Sequence, residues 1–178
     1  KDEIENFQDI INFFNRHKYR GASFFSFNMR FEAEAILKLI NDKEVLQDIY
    51  DNGAVFKGIN LPEYGVTLRY IPTKLFHLCK NKHCITIYDI AQFYGGWTLE
   101  KASLKYLGEG KHPISGKKIG EEKGYYEANK EAVKEYCKKD ADLALRLAKL
   151  MKDTIMGTIL KKGKLSFKKP ISQAKIAE

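Results

Sequence analysis

The sequence predicts a mixed α/β (or α+β) fold, in which a β-sheet is flanked by helices. Three segments between residues 66 and 90 alternate apolar and polar residues, which is the pattern of half-buried strands. On both sides of them, apolar residues recur three and four positions apart, as they do along the buried face of a helix. At 178 residues, the chain is long enough to form one domain with a substantial core.

The first third of the chain predicts three helices and one short strand. The strand follows from a continuous apolar run, and the helices follow from apolar residues at helical spacing. In chain order we expect a helix over Glu5–His17, a strand over Phe24–Asn28, a helix over Phe31–Ile40 and a short helix over Lys43–Tyr50. Asp51, Asn52 and Gly53 then predict a turn, since these residue types favour turn conformations.

The middle of the chain predicts a meander of three strands, and the last part predicts two helices. The strands are expected over Val66–Ile71, Leu75–Cys79 and Cys84–Ile90. After them we expect a helix over Leu99–Leu107, an irregular Gly- and Lys-rich loop over Gly108–Gly124, and the longest helix over Asn129–Met156. The domain then occupies residues 1–156, and a lysine-rich tail follows over 157–178.

The composition indicates a globular protein that does not cross a membrane, with 44% hydrophobic and 30% charged residues. No apolar run is long enough to span a bilayer, and the first residues lack the apolar region of a secretory signal. Three cysteines, an odd number, argue against a disulfide framework, so we expect reduced thiols and an intracellular location. The net charge of +8 permits a nucleic-acid partner, although a solvated lysine surface explains it equally well.

Two His and two Cys residues lie close together and raise the question of a zinc site. His77, Cys79, His83 and Cys84 fall within eight residues. Structural zinc sites usually combine two ligand pairs across a longer spacer. Strand alternation would also place the adjacent His83 and Cys84 on opposite faces of a hairpin. We therefore predict no zinc site here.

Two short segments about a hundred residues apart contain the candidate catalytic and binding residues of this chain. The first, Asn28-Met29-Arg30-Phe31-Glu32, brings an amide, an aromatic ring and a carboxylate to a strand-to-helix junction. The second, Tyr136-Cys137-Lys138-Lys139-Asp140, places a tyrosine and an aspartate four residues apart, on one helical face. Carboxylates hold hard cations and aromatic rings stack on bases, so the pattern suits metal-assisted attack on a phosphodiester.

These segments resemble the second and third exonuclease motifs of family-B DNA polymerases, closest to the protein-primed branch. In that branch, the two motifs have the sequences Asn-x-x-(Phe/Tyr)-Asp and Tyr-x-x-x-Asp. Its intervening Lys-x-x-hydrophobic motif resembles Lys111-His112-Pro113-Ile114, and the segments 87–90 and 99–108 are also similar to the family. The resemblance extends from roughly Asp9 to Met151.

The resemblance implies a ribonuclease-H-like (DnaQ-like) exonuclease fold with a mixed central sheet. The implied activity is 3′→5′ proofreading of single-stranded DNA 3′ ends, through two-metal hydrolysis with Mg²⁺ or Mn²⁺. Glu32 and Asp140 would be the metal ligands, and we expect their carboxylates on the order of 4–8 Å apart, as two-metal spacing requires. The strand that ends near Asn28 is expected to be central. A polymerase domain beyond the tail and a terminal protein are the implied partners.

The resemblance also implies roles for the other site residues. The Tyr136 hydroxyl would orient the attacking water or the scissile phosphate. Lys111 would place a positive charge against that phosphate, where it stabilises the charge of the transition state. Asn28 and Phe31 would bind the single-stranded 3′ end, the first by hydrogen bonds and the second by stacking against a base.

The chain departs from the family in two places. The first exonuclease motif, Asp-x-Glu on an apolar strand, is not found. Glu32 stands where the family has Asp, and Mg²⁺ demands near-ideal geometry of its ligands. A second interpretation is therefore a degenerate ribonuclease-H-like domain that binds nucleic acid or proteins without cutting. A third is a separate ribonuclease-H-like protein. The polymerase palm motifs are absent, so we expect no nucleotide polymerisation.

Each candidate residue also has a purely structural explanation, which the sequence leaves open. Glu32 lies in a first helical turn, where the helix dipole favours acidic residues. Asn28 could cap that helix, and Phe31 could pack in the core. Asp140 could pair with a neighbouring lysine on a solvated helix face. Asp89, at a strand end, is expected to cap the next element or to lie near the metals.

Overall fold

The computed structural model describes residues 4–16, 19, 22, 24–40, 42–52, 55–114, 116–122 and 124–154, and of residues 48, 50, 52, 55–57, 117, 120 and 121 it describes the backbone alone. The chain divides into two compact units, with the boundary between Gln92 and Phe93. None of the described helices has the length and apolarity needed to cross a bilayer.

The described residues of the first unit form three α-helices and five strands, and short 3-10 helices lie over Pro62–Tyr64 and, at the unit boundary, Ala91–Tyr94. Its elements are α1 (Phe7–Phe14), β1 (Phe24–Ser26), α2 (Arg30–Leu37), α3 (Lys43–Asn52), β2 (Val55–Leu61), β3 (Val66–Ile71), β4 (Leu75–Lys80) and β5 (His83–Asp89). The second unit contains the helices α4 (Leu99–Leu107), α5 (Gly116–Glu121), α6 (Tyr125–Ala128) and α7 (Lys130–Thr154).

The five strands form one mixed sheet with the order β1-β5-β4-β3-β2. β1 pairs in parallel with β5, and the other neighbours are antiparallel. This confirms the predicted mixed sheet with helices beside it. The predicted central position of β1 is wrong for the described sheet, where β1 is an end strand. The reason is that β2 to β5 add successively as antiparallel neighbours, so only β5 comes to lie beside β1.

The core of the first unit lies between one face of the sheet and the three helices. α1 begins with a capping box, in which Asn6 accepts from the Asp9 N–H and Asp9 accepts from the Asn6 N–H. The side chains of α1 that follow, Phe7, Ile10 and Ile11, are buried against the sheet residues Leu68, Phe76 and Leu78. Burial of each such side chain contributes roughly 1.5–3 kcal/mol to folding.

Several predicted boundaries differ from the structure. Asp51 and Asn52, predicted as a turn, are the last residues of α3, because Asp51 accepts a hydrogen bond from Gln47 one turn earlier (2.7 Å). A short helix, α5, lies inside the predicted loop. α1 ends at Phe14, before the predicted end. The predicted positions of His17, Gly53 and Met156 and the tail 157–178 lie outside the described residues.

The sequence pattern did not predict β2. This strand carries an irregular register between Val55 and Ile59, and Gly58 adopts a left-handed φ of 90°. The irregularity interrupts the alternation of apolar and polar residues by which strands are recognised. A Cβ atom at position 58 would also come within 3.2 Å of the Thr67 methyl group, so the strand needs glycine there.

The expectation of reduced thiols is wrong for two of the cysteines. Cys79 and Cys84 form a disulfide across the β4–β5 hairpin. They are directly opposite each other in the antiparallel register, so their side chains leave the sheet on the same face. Cys137 on α7 is a free, exposed thiol.

The second unit is organised by the packing of α4 against α7. Thr98 caps α4 by accepting from the Lys101 N–H, and Gly108 ends it with a left-handed φ of 68°. α7 is 25 residues long, and Leu143 and Leu147 on it are fully buried. The Tyr94 hydroxyl donates to the Leu147 carbonyl (2.6 Å), which ties the start of the unit to α7.

Removing the Tyr94 hydroxyl is expected to change how stability depends on alkaline pH. Burial, and then the neighbouring Tyr106, raise the pKa of Tyr94 to about 12. An unfolded tyrosine ionises near pH ~10, so the unfolded chain releases this proton first and becomes favoured as pH rises from ~10 towards 12. Denaturant unfolding should show that Tyr94→Phe costs about 1 kcal/mol at neutral pH but loses less stability above pH ~10 than the unmodified chain. Equal alkaline losses in the two proteins would contradict this assignment.

Candidate functional site

Three of the predicted site residues meet in the second unit. Lys111 Nζ lies 2.7 Å from Asp140 Oδ2 and 3.1 Å from the Tyr136 hydroxyl. The Lys111 and Asp140 side chains are 25% and 22% exposed, so the ion pair is partly shielded from water. A lysine, a tyrosine and an aspartate that the sequence separates by up to 29 positions therefore form one hydrogen-bonded group.

Two features of the chain position this group. Tyr136 and Asp140 lie four residues apart on α7, so their side chains leave the same face of that helix. Lys111 reaches them from the segment that follows α4, where Gly108 ends the helix. Gly116, the first residue of α5, approaches so closely that a Cβ atom there would come within 3.0 Å of the Tyr136 hydroxyl. Sequence reasoning missed the role of Gly116 because it predicted no structure in this segment.

The group is electrostatically coupled. Burial lowers the pKa of Lys111, but its hydrogen bonds to Asp140 and Tyr136 outweigh burial and hold the pKa above its usual value. Burial raises the pKa of Tyr136, the Lys111 hydrogen bond opposes this, and the charge of Asp140 and a hydrogen bond to it add to the rise. Near neutral pH, therefore, Lys111 is a cation and Tyr136 is a neutral phenol.

Asp140 keeps one oxygen available. Its Oδ2 atom holds Lys111, whereas Oδ1 is buried and has no hydrogen-bond partner among the described residues. A buried carboxylate oxygen without a partner is costly, and a cation is the ligand that such an oxygen suits best.

The sequence left open that Asp140 pairs with a neighbouring lysine on α7. In the structure, the charged residues next to Asp140 on this helix pair with other partners. Lys139 and Arg146 both contact Glu109, and Lys138 pairs with Glu135. Asp140 is therefore not the partner of its neighbouring lysines on α7 and pairs with Lys111 instead. Asp142, two residues further along α7, lies 55% exposed and reaches Arg146 only at 3.5 Å.

In the first unit, Asp89 builds the junction that carries the Asn28–Glu32 segment. Asp89 is 1% exposed and ends β5, next to β1. Its carboxylate accepts from the N–H groups of Asn28 (3.1 Å), Met29 (2.9 Å) and Ala91 (2.9 Å). Two of these donors are at the start of α2, so Asp89 supplies the cap of that helix from a distant strand. Through the Ala91 N–H, Asp89 caps the 3-10 helix Ala91–Tyr94, as expected of the next element, and it caps α2 as well.

The junction presents Asn28, Phe31 and Glu32 outward. Asn28 is exposed and has a left-handed φ of 64°, and α2 has no side-chain cap of its own. Asn28 therefore does not cap the helix, because Asp89 does. Phe31 is 70% exposed, which excludes the alternative that it packs in the core. Glu32 is exposed in the first turn of α2, while Arg30 pairs with Glu34 at 2.8 Å.

Thus the first unit holds Asn28, Phe31 and Glu32, and the second holds Lys111, Tyr136 and Asp140. The predicted separation of Glu32 and Asp140 stays a prediction, since the two residues belong to different units. Compared with known proteins, the chain matches no family model, no curated protein and no solved structure.

Proposed function

We propose that this chain is the 3′→5′ exonuclease domain of a protein-primed, family-B-like DNA polymerase, with a ribonuclease-H-like fold. One observation carries the proposal: Lys111, Tyr136 and Asp140, drawn from two separate segments of the resemblance, converge through hydrogen bonds of 2.7 and 3.1 Å. Nothing in ordinary core packing requires a lysine, a tyrosine and an aspartate to meet there. A shared reaction centre explains why all three do.

The donor set fits a divalent cation. Asp140 Oδ1 is buried and unpartnered among the described residues, and Oδ2 remains with Lys111, so one carboxylate can serve a metal and the lysine together. Oxygen ligands of this kind favour Mg²⁺ or Mn²⁺. When bound, such ions activate water and stabilise the charge on the phosphate. Asp140 and Glu32 are the residues that we propose to hold them.

The remaining residues bind and orient the strand. The neutral Tyr136 hydroxyl can donate to the attacking water or to a phosphate oxygen. Lys111, held by Asp140, places its charge where the phosphate gains negative charge in the transition state. The exposed Phe31 ring offers a stacking surface for a base, and the exposed Asn28 amide beside it offers hydrogen bonds.

The missing first motif can be supplied at the edge of the sheet. Within the described sheet, β1 pairs with β5 alone and leads directly into Asn28. A strand that carries Asp-x-Glu and adds to the open side of β1 would bring its carboxylates next to this junction. A polymerase domain and a terminal protein are the further partners that we propose. Without the added strand, we expect little Mg²⁺-dependent activity from this chain.

A binding measurement tests the role of Phe31. Fluorescence anisotropy with a short single-stranded oligonucleotide at low salt should show weak, salt-sensitive binding. Phe31→Ala should weaken it about 5- to 150-fold, since stacking contributes roughly 1–3 kcal/mol per base. Tyr126→Ala, which removes another exposed ring (42% exposed), is the matched control and should leave affinity unchanged. Undetectable binding, or equal losses in the two variants, would refute the proposed site.

The alternative is a degenerate domain of the same fold that binds nucleic acid or a partner protein without cutting. Glu32 in place of Asp favours it, because the longer side chain fits Mg²⁺ geometry less well. A nuclease assay separates the two functions. Once an Asp-x-Glu strand has been joined to the chain, a ladder of products from a 5′-labelled single strand supports the exonuclease. Binding without any ladder, in Mg²⁺ or in the less demanding Mn²⁺, supports the degenerate domain.

A further inference from the structure

The β4–β5 hairpin carries a second cluster of reactive side chains, in the first unit. His77, Cys79 and Cys84 each offer one ligand atom, and these atoms lie within 4.8 Å of one another. His77 and Cys79 are two residues apart on β4, and Cys84 is directly opposite Cys79 on β5. Strand alternation therefore places all three on one face of the hairpin. We propose that this cluster is a redox-controlled binding site for a thiophilic metal ion, of which Zn²⁺ is the ion that we expect.

The histidine is already oriented for this role. His77 Nδ1 lies 2.7 Å from the Thr86 hydroxyl, and Nε2 lies 3.0 Å from Cys79 Sγ. In the disulfide, Cys79 Sγ carries no proton, so Nε2 donates to it and Nδ1 accepts from the Thr86 hydroxyl. After reduction, the other tautomer, in which Nδ1 donates to Thr86, leaves on Nε2 the lone pair that a metal requires. Outer-shell hydrogen bonds of this type fix the tautomer and the ring orientation of metal-binding histidines. Thr86 is thus the positioning residue of the site.

His83 does not belong to the cluster. It pairs with Lys80 in the register, and both line a small pocket on the other side of the hairpin with Leu78 and Ile85. His83 and Cys84 point to opposite faces of the hairpin, as the sequence predicts. A site of three ligands was not predictable, because the cross-strand register that brings Cys84 to His77 and Cys79 is not visible in the sequence.

The oxidation state of the cysteines decides whether the metal can bind. In the disulfide, neither sulfur is a thiolate, so the cluster lacks two of its ligands. A dithiol reductant that transfers two electrons and two protons gives Cys79 and Cys84 as thiols and becomes a disulfide itself. Metal binding then releases the two thiol protons. Cys84 is exposed, so a reductant can reach the bond and water can take the fourth coordination position.

The consequence is a switch between two ways of closing the same hairpin. The disulfide joins β4 to β5 covalently under oxidising conditions, and the metal joins them through His77, Cys79 and Cys84 under reducing conditions. The two states exclude each other, because both need the same sulfur atoms. This inference does not depend on the exonuclease proposal, since no residue of the proposed nuclease site takes part.

Thiol counting and cobalt titration test the proposal on the full chain. Without reductant, a thiol reagent should modify Cys137 alone; after a phosphine reductant, all three cysteines should react. The reduced chain, exchanged into metal-free buffer, should bind one Co²⁺ with the thiolate charge-transfer and ligand-field absorption of a tetrahedral site, and Zn²⁺ should displace it. The oxidised chain should show no such absorption.

Variants assign the ligands. His77→Ala and Cys84→Ser should each weaken Co²⁺ binding by more than about 10-fold, and Thr86→Val by about 10-fold, the loss that outer-shell partners cause. His83→Ala and Cys137→Ser are the matched controls and should bind Co²⁺ as the unmodified chain does. Circular dichroism of each variant checks that it is folded. Three reactive thiols before reduction, no Co²⁺ binding after it, or equal losses in the His83 control would overturn the proposal.

Discussion

Replacing Asp89 with alanine is expected to lower the free energy of unfolding by about 3–5 kcal/mol, a large part of the stability of a typical domain. The carboxylate is 1% exposed and accepts from three backbone N–H groups. A hydrogen bond to a charged group contributes about 1.5–3 kcal/mol, and buried donors that lose their acceptor add a desolvation cost. The lost bonds lie where β1 enters α2, so the variant should also displace Asn28 and Phe31.

Denaturant unfolding, followed by circular dichroism, measures this effect. Asp89→Asn is the informative second variant, because its amide oxygen can still accept from Asn28 and Ala91 while its NH₂ group faces the Met29 N–H. We expect a loss of about half that of the alanine variant. Asp153→Asn, at an exposed position of α7, is the control and should change stability by less than about 0.5 kcal/mol. A loss at Asp89 no larger than at Asp153 would show that the carboxylate does not hold the junction.

Features that are set by residues close together in the chain could be predicted from the sequence, and features that depend on distant contacts could not. Tyr136 and Asp140 were predicted to share a face because helical periodicity is local and has a fixed period. α1, α4 and the β3–β5 meander were predicted for the same reason, because the residues that give their periodicity lie close together in the sequence. The roles of Asp89 and Gly116 were not predictable in this way. Asp89 acts across 61 positions of the chain, and Gly116 matters only through its distance to the Tyr136 hydroxyl.

The β-sheet illustrates a second limit. β2 was not predicted because Gly58 and the irregular register interrupt the alternation of apolar and polar residues. The central position predicted for β1 was wrong because it depends on which strands pair with β1. The cysteines show the same dependence. An odd number of them argued for reduced thiols, but the register places Cys79 opposite Cys84, and proximity then decides the chemistry. Register is a tertiary property, and short sequence windows do not contain it.

The largest effect on activity is expected at Asp140. In a chain that carries an added Asp-x-Glu strand, Asp140→Asn should reduce degradation of a 5′-labelled single strand to background. The amide keeps the size of the side chain but cannot supply the charge that holds a divalent cation. Binding of the oligonucleotide without metal should change little, since the exposed Phe31 and surface lysines supply those contacts. Full activity of Asp140→Asn would exclude the proposed mechanism.

Substitution of Lys111 distinguishes stabilisation of the transition state from simple binding of the substrate. We expect Lys111→Ala to lower kcat about 100-fold and to leave KM nearly unchanged, as for a group that acts on charge formed in the transition state. Lys111 also holds Asp140 Oδ2 at 2.7 Å, so Lys111→Arg is needed to distinguish charge from positioning, and it should recover part of the lost turnover.

Lys138→Ala, which removes a 71% exposed lysine paired with Glu135, is the control and should keep full activity. Single-turnover degradation at saturating oligonucleotide measures the chemical step directly. A rise in KM at unchanged kcat would instead make Lys111 one more phosphate-binding lysine, because uniform binding of substrate and transition state does not accelerate the reaction.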